Sequence, residues 1–160
     1  MTADVTPTAS RPDIPGYGIV PADAGEGLLP WSWAEERLSA SHGYWLGTTR
    51  PDGRPHVTPV WAVWTDGAVW FSTNGAVKMA NLAAERRCSL TIESTIEAVI
   101  VEGTASPVAP HPAAATHAYR HKYGITPPEE SVLYRVQPTV VLGFIDDMER
   151  FATTATRWTF

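Results

Sequence analysis

The sequence predicts a mainly β fold, a split antiparallel β-barrel flanked by helices. About seven short apolar runs rich in β-branched and aromatic residues recur between Tyr44 and Phe160, and turn sequences separate them. Two of these turns, at Pro51–Gly53 and Asp66–Gly67, are typical of hairpins, so neighbouring strands should run antiparallel. The helical stretches do not alternate with the strands, which excludes a doubly wound parallel sheet.

The chain divides into two predicted parts. Residues 1–30 are rich in Pro, Gly, Ala and Thr and show little hydrophobic periodicity, which is typical of a flexible N-terminal arm. Residues 31–160 contain the apolar runs and the turns. We expect them to form one barrel domain, since a single domain commonly has roughly 100–200 residues.

The barrel is predicted to begin with one helix and a three-stranded meander. Ser32 and Glu35 have the spacing of a capping box and Gly43 follows the apolar positions, so a helix is expected from about Trp33 to Ser41. The runs on either side of the two hairpin turns predict strands over residues 44–49, 55–64 and 69–73.

The remaining elements follow from breaker residues and helix formers. Asn74-Gly75 interrupts the sheet, Gly103 predicts a bulge inside a long strand, and Pro138 is expected to separate two strands. The expected elements are a helix over 76–85, strands over 88–93 and 98–108, a helix over 109–123, strands over 132–136 and 139–145, and a final strand within 149–160.

Charge and composition exclude several classes of protein. The net charge of −5 argues against a nucleic-acid binder, which would carry a basic face. No apolar run approaches the roughly 20 residues of a membrane span, and the first residues do not have the pattern of a signal peptide. Cys88 is the single cysteine, so no internal disulfide is possible and a cytoplasmic location is predicted.

A candidate anion site lies where the third strand ends. The strand finishes in the hydroxyl residues Ser72 and Thr73, Gly75 loosens the backbone, and Lys78 follows at the start of a helix. Free amides, hydroxyls and an ammonium group together suit a phosphate. The pattern alone favours the other interpretation, an ordinary strand–turn–helix with a solvated lysine, because such short motifs often occur without a ligand.

A second candidate stretch runs from His56 to Trp61. Pro59 inside an apparent strand indicates an edge or a bulge, where exposed backbone groups can contact the edge of a heterocycle, and Trp61 can face a ring. A packed edge strand is the alternative. His117 and His121 share a predicted helix face, but no cysteine or carboxylate lies beside them, so no metal site is predicted.

These motifs together resemble those of the pyridoxamine-phosphate-oxidase-like split barrels, and within them the flavin/deazaflavin oxidoreductase branch. The similar segments are RPDGRPHVTPVW, the FST end of the third strand, Lys78, Asn81-Leu82, VEGTA and the final TTATRWTF. The resemblance implies a homodimer with two cofactor sites at its interface, each holding coenzyme F420 or FMN. The residues it implies for cofactor binding are His56, Thr58, Pro59, Val60, Trp61, Ser72, Thr73, Lys78, Asn81, Arg157 and Trp158.

The implied function is hydride transfer between the cofactor and a small planar unsaturated substrate, and no catalytic side chain is singled out. Relatives that bind the deazaflavin usually carry arginines around the lysine, whereas Ala76 and Ala80 flank Lys78 here. The long anionic tail of coenzyme F420 needs such charges. FMN therefore stays an alternative cofactor, and a non-catalytic flavin-binding or carrier protein stays an alternative function.

Overall fold

Nine strands form one antiparallel sheet in residues 6–24 and 27–160, the part of the chain that the computed structural model describes. Four helices flank the sheet. In chain order the elements are β1 Thr8–Ser10, α1 Trp31–Ala40, β2 Tyr44–Thr49, β3 Pro55–Val60, β4 Ala62–Thr65, β5 Ala68–Thr73, α2 Ala76–Ala84, β6 Arg87–Ile92, β7 Glu97–Val108, α3 Ala113–Tyr123, β8 Val132–Ile145, α4 Phe151–Thr154 and β9 Thr156–Thr159.

The barrel splits at β8. On one side β7 pairs with β8 from Leu133 to Ile145. On the other side the first part of β8, Val132–Val136, pairs with β5, whereas Val140–Gly143 pairs with β9. The sheet order β1-β9-β8-β7-β6-β2-β3 ends at β3, and β4 pairs with β5. The mainly β, split-barrel prediction is therefore confirmed.

The chain passes from one end of the sheet to the other at a single residue. β3 ends at Val60 and β4 begins at Ala62, so the predicted single strand over 55–64 is in fact two strands. We call Trp61–Ala62 the barrel corner. The strand breaks here because β3 pairs with β2, whereas β4 pairs with β5.

The prediction of two strands separated by Pro138 is wrong, because β8 is continuous. The register between β7 and β8 shifts between Glu102 and Gly103, which leaves Thr139 as the extra residue beside Pro138. A proline, which has no N–H to donate, is tolerated at such an irregularity. The predicted bulge at Gly103 is confirmed, and a Cβ there would collide with the Gln137 carbonyl.

The starts of α1 and α3 differ from their predictions. α1 begins at Trp31 after Pro30, and no side chain caps it. Ser32 lies inside the first turn, so the predicted capping box is not formed. α3 begins only at Ala113, because the extended backbone of Pro112 precedes it.

Part of the N-terminal arm is attached to the barrel. β1 pairs with β9, and the Arg11 guanidinium donates to the Ala155 carbonyl at 3.1 Å. Farther along, the Tyr17 ring lies 6.0 Å from the Phe151 ring, and Leu29 is buried. The arm predicted to be flexible over residues 1–30 thus includes an ordered strand, while residues 1–5 and 25–26 lie outside the described part of the chain.

Helix α3 supplies polar partners to the barrel corner. The Tyr119 hydroxyl donates to the Trp61 carbonyl at 2.7 Å, and the Lys122 ammonium donates to the Ala62 carbonyl at 3.0 Å. The Tyr123 hydroxyl accepts from the Ala62 amide at 3.0 Å. Three side chains from one helix thus satisfy backbone groups at the position where the two strands change partners.

Gly143 gives the core room for two indoles. A Cβ at this position would lie 2.8 Å from the Trp158 ring and 2.9 Å from the Trp33 ring, both too close for a real contact. We expect Gly143→Ala to lower the free energy of unfolding by about 1–3 kcal/mol, as overpacked cores do. Urea denaturation measures this value. Gly27→Ala is the control, because a Cβ there meets nothing within 4 Å, and equal stability of both variants would contradict the packing.

Lys122 makes stability depend on pH. Burial lowers the pKa of its ammonium group to about 8, and the Glu93 carboxylate offsets part of this effect. Above about pH 8 the unfolded chain binds the proton that the folded chain has released, so stability should rise with pH. Between about pH 7 and pH 9 the free energy of unfolding of the natural protein should therefore increase relative to that of Lys122→Met. The two proteins share all other titrating groups. If their free energies of unfolding changed equally with pH, that result would contradict the lowered pKa of Lys122.

Candidate cofactor site

Lys78 folds back over the end of β5. A Cβ built on Gly75 would lie 2.9 Å from the Lys78 Nζ and 3.2 Å from the Thr73 Oγ1, so both polar groups crowd the same point. The Thr73 hydroxyl accepts from the Gly75 amide at 2.9 Å. No ion pair of Lys78 is found among the described residues, and its side chain is half-buried. We call Thr73, Gly75 and Lys78 the Lys78 ledge.

The N-terminus of α2 opens onto this ledge. The Met79 amide donates to the Gly75 carbonyl at 3.1 Å, so the amides of the three preceding residues have no partner within the helix. No side chain caps the helix, and no acidic residue lies in its first turn. Free amides, the positive end of the helix dipole and one ammonium group therefore lie together, which is the donor set that a phosphate requires.

A polar network links α2 to the hairpin of β2 and β3. Asn81 is buried, and its side-chain amide donates to the Thr48 Oγ1 at 3.0 Å. The same hydroxyl lies 3.3 Å from the His56 Nδ1. Asn81 and His56 belong to the sequence motifs described above, whereas Thr48 does not. The hairpin register, which places Thr48 opposite His56, is the signal that identifies it.

The five predicted residues of the second stretch divide between two faces. His56, Thr58 and Val60 alternate with Pro59, which is exposed. The Thr58 Oγ1 is buried and has no hydrogen-bond partner in the described part of the chain. Trp61 lies at the barrel corner and is 50% exposed. β3 therefore holds a buried, unsatisfied hydroxyl on one face and is followed by a half-exposed aromatic ring.

Ser72 is not brought to the Lys78 ledge. It precedes Thr73 in β5, and successive side chains of a strand point to opposite faces. Its hydroxyl lies 2.5 Å from that of Ser131, and its amide donates to the Tyr119 hydroxyl at 3.0 Å. The strand alternation, applied to the sequence, would have separated Ser72 from Thr73.

The C-terminal pair also lies away from the ledge within one chain. Trp158 is 1% exposed and packs against Trp31 in the core, so its ring is not available to a ligand. Arg157 pairs with Leu142 on β8, whereas Thr73 pairs with Val132, ten residues earlier on the same strand. Ten extended residues span about 30 Å, so Arg157 does not reach the ledge of its own chain.

Two cavities lie beside these residues, and Lys78 lines neither. One of about 540 Å³ covers β2, β3, β6 and β7 and includes Thr48, His56 and Arg87. The other, of about 920 Å³, lies beside α3 and is lined by residues that include His111 and Ser131.

Metal ligation and membrane spanning find no support in the described residues. They contain no group of three or more His, Cys, Asp or Glu side chains placed to hold a metal ion. None of their helices combines the length and the apolar character that crossing a membrane requires.

Several solved structures share the fold. A conserved hypothetical protein of Mycobacterium tuberculosis superposes with a TM-score of 0.64 at 21% identity, over 76% of this chain and 88% of that one. A protein described as an F420 reductase superposes with a TM-score of 0.56 at 24% identity, over 74% of this chain and 98% of that one. A heme binding protein of Mycobacterium smegmatis superposes with a TM-score of 0.57 at 18% identity, over 79% of this chain and 62% of that one.

At these identities the structures show the fold alone. No curated protein matches the chain. The sequence profile of the family described as pyridoxamine 5'-phosphate oxidase matches residues 33–144, which include β2 to β7, the Lys78 ledge and the barrel corner. The chain belongs to the pyridoxamine 5'-phosphate oxidase family, as the resemblance of its motifs predicted.

Proposed function

We propose that the protein is an oxidoreductase that binds coenzyme F420, or alternatively FMN, by its phosphate at the Lys78 ledge. The proposed reaction transfers a hydride between this cofactor and a small planar unsaturated substrate. The observation that carries the proposal is the position of the Lys78 ammonium, which lies over Thr73 and Gly75 at the uncapped start of α2. An ammonium group free in solvent would have argued for the structural interpretation instead.

The residues present fit a phosphate-bearing flavin. The Thr73 hydroxyl, the first amides of α2 and Lys78 supply donors for one phosphate. The cofactor supplies the carbon or nitrogen that accepts and releases hydride, while the protein supplies orientation and electrostatics. The network of Asn81, Thr48 and His56 holds α2 against β2 and so keeps the ledge in place.

The sheet surface supports a homodimer. Trp45 and Val57 lie on neighbouring strands and are 46% and 60% exposed, and Pro59 opposite Trp45 is exposed too. An apolar patch of this kind marks an interaction surface. The proposed assembly is a cytoplasmic homodimer with two cofactor sites at its interface, in which Arg157 of one chain would approach the ledge of the other.

The alternative function is a flavin-binding or carrier protein without turnover. Ala76 and Ala80 leave Lys78 as the one cation in α2 and so favour a ligand with a single phosphate over a polyanionic tail. The fold is shared by a protein described as an F420 reductase and by one described as heme binding, so the fold itself is compatible with either function.

Binding measurements test the ledge. We expect Lys78→Ala to weaken the binding of FMN and coenzyme F420 by about 10- to 100-fold, because a charge-assisted hydrogen bond is lost. Gly75→Ala should weaken binding as well, since its Cβ would displace the Lys78 ammonium, while its backbone lies outside the left-handed region. Fluorescence titration of the purified protein measures both affinities.

Val77→Ala is the matched control, because Val77 precedes Lys78, is exposed and carries no charge. Equal affinity of all three variants would contradict phosphate binding at the Lys78 ledge. Failure of the natural protein to bind either cofactor would overturn the proposed function. Tight binding without oxidation of the reduced cofactor by enones, quinones or nitro compounds would select the carrier function.

A further inference from the structure

A cavity of about 920 Å³ lies where the end of β7, the start of α3 and the start of β8 meet. We call it the α3 cavity. Its volume is that of a small-molecule pocket, since such pockets commonly have about 300–1,000 Å³. Neither Lys78 nor Trp61 lines it, so this inference does not rest on the proposed function. The apolar part of its wall consists of Pro107, Val108, Pro110, Pro127 and Val132.

Three polar side chains of the α3 cavity already donate their protons within the protein. The His111 Nε2 lies 3.2 Å from the Ser131 carbonyl, which can only accept, so Nε2 carries the proton and Nδ1 of the neutral ring is an acceptor. The Ser131 hydroxyl donates to the Pro128 carbonyl at 2.6 Å. The Thr116 hydroxyl donates to the Ala113 carbonyl at 3.0 Å. These three side chains therefore offer a ligand acceptors and no further protons.

The charge of the α3 cavity has the same preference. Glu129 lines it, and the described residues of its wall include no lysine or arginine. The first residues of α3, Ala113–Ala115, whose free amides would attract an anion, do not line it either. Thr126 lines it with an exposed hydroxyl, which can donate or accept. The wall thus favours a ligand that carries positive charge and donates hydrogen bonds.

We propose that the α3 cavity binds a small organic amine, in which an apolar or aromatic body carries a protonated primary amino group. The ammonium group donates to the Glu129 carboxylate, and the acceptors of His111 and Thr116 are open to its remaining protons. The body of the amine packs against the proline and valine side chains. A phosphate or carboxylate would meet the charge of Glu129 without a lysine or arginine to bind it.

A matched set of three ligands tests the chemical class. These are 2-phenylethylamine, 2-phenylethanol and phenylacetate, which have similar bodies and carry a cation, a neutral hydroxyl and an anion. In NMR titrations of the ¹⁵N-labelled protein at millimolar concentrations, the amine should shift the amide signals of Thr116, Glu129 and Ser131 and should bind most tightly. Phenylacetate should bind most weakly. Absence of saturable shifts at these residues, or equal affinity for all three ligands, would overturn the proposal.

Glu129→Gln tests the ion pair. We expect it to weaken the binding of 2-phenylethylamine by about 2- to 5-fold, the range of a solvent-exposed pair, and to leave the binding of 2-phenylethanol unchanged. Added salt should weaken amine binding to the natural protein as well. Glu130→Gln is the matched control, because Glu130 is the exposed neighbour of Glu129, carries the same charge and does not line the cavity. Equal effects of the two substitutions would assign the change to net charge and overturn the proposed contact.

The amine site and the proposed function fail in different ways. Saturating FMN should leave the affinity for 2-phenylethylamine unchanged, because Lys78 does not line the α3 cavity. Competition between the two ligands would show that the amine occupies the cofactor site and would overturn a separate site. If the natural protein binds neither cofactor, the proposed function fails, while the shifts at Thr116, Glu129 and Ser131 still decide the amine site.

Discussion

The barrel depends on satisfying the backbone at the corner formed by Trp61 and Ala62. A chain that leaves one strand pair and joins another within a single residue must find new partners for its polar groups, because buried N–H and C=O groups are costly to leave unpaired. Three side chains of α3 supply them, from Tyr119, Lys122 and Tyr123. The helix is therefore part of the closure of the barrel.

The same corner organises the candidate site. Before it, β3 carries His56 and Thr58 on one face and is held to β2 along its full length. After it, β4 and β5 lead to Thr73, where the strand ends and α2 begins with Lys78 in its first turn. The network from Asn81 through Thr48 to His56 then connects α2 back to β3, so the two halves of the site are fixed relative to each other.

The candidate site combines contacts that are local in sequence with contacts between distant segments. The Lys78 ledge offers donors that are local in sequence, since a strand end and a helix start are only a few residues apart. The stacked rings of Trp61 and Tyr123 belong to residues 62 positions apart, and they meet only because α3 packs against the corner. The surface of β2 and β3 exposes the apolar side chains of Trp45 and Val57.

The amino-acid sequence alone determined the local elements and the chemistry of the ledge. Strand β2 and the start of α2 lie where the turn and breaker residues placed them, because hairpin turns and helix starts are local in their physics. The tertiary structure decided which faces meet. It turned Ser72 toward Ser131, buried Trp158 and continued β8 through Pro138, because strand register and barrel closure depend on contacts between residues far apart in the chain.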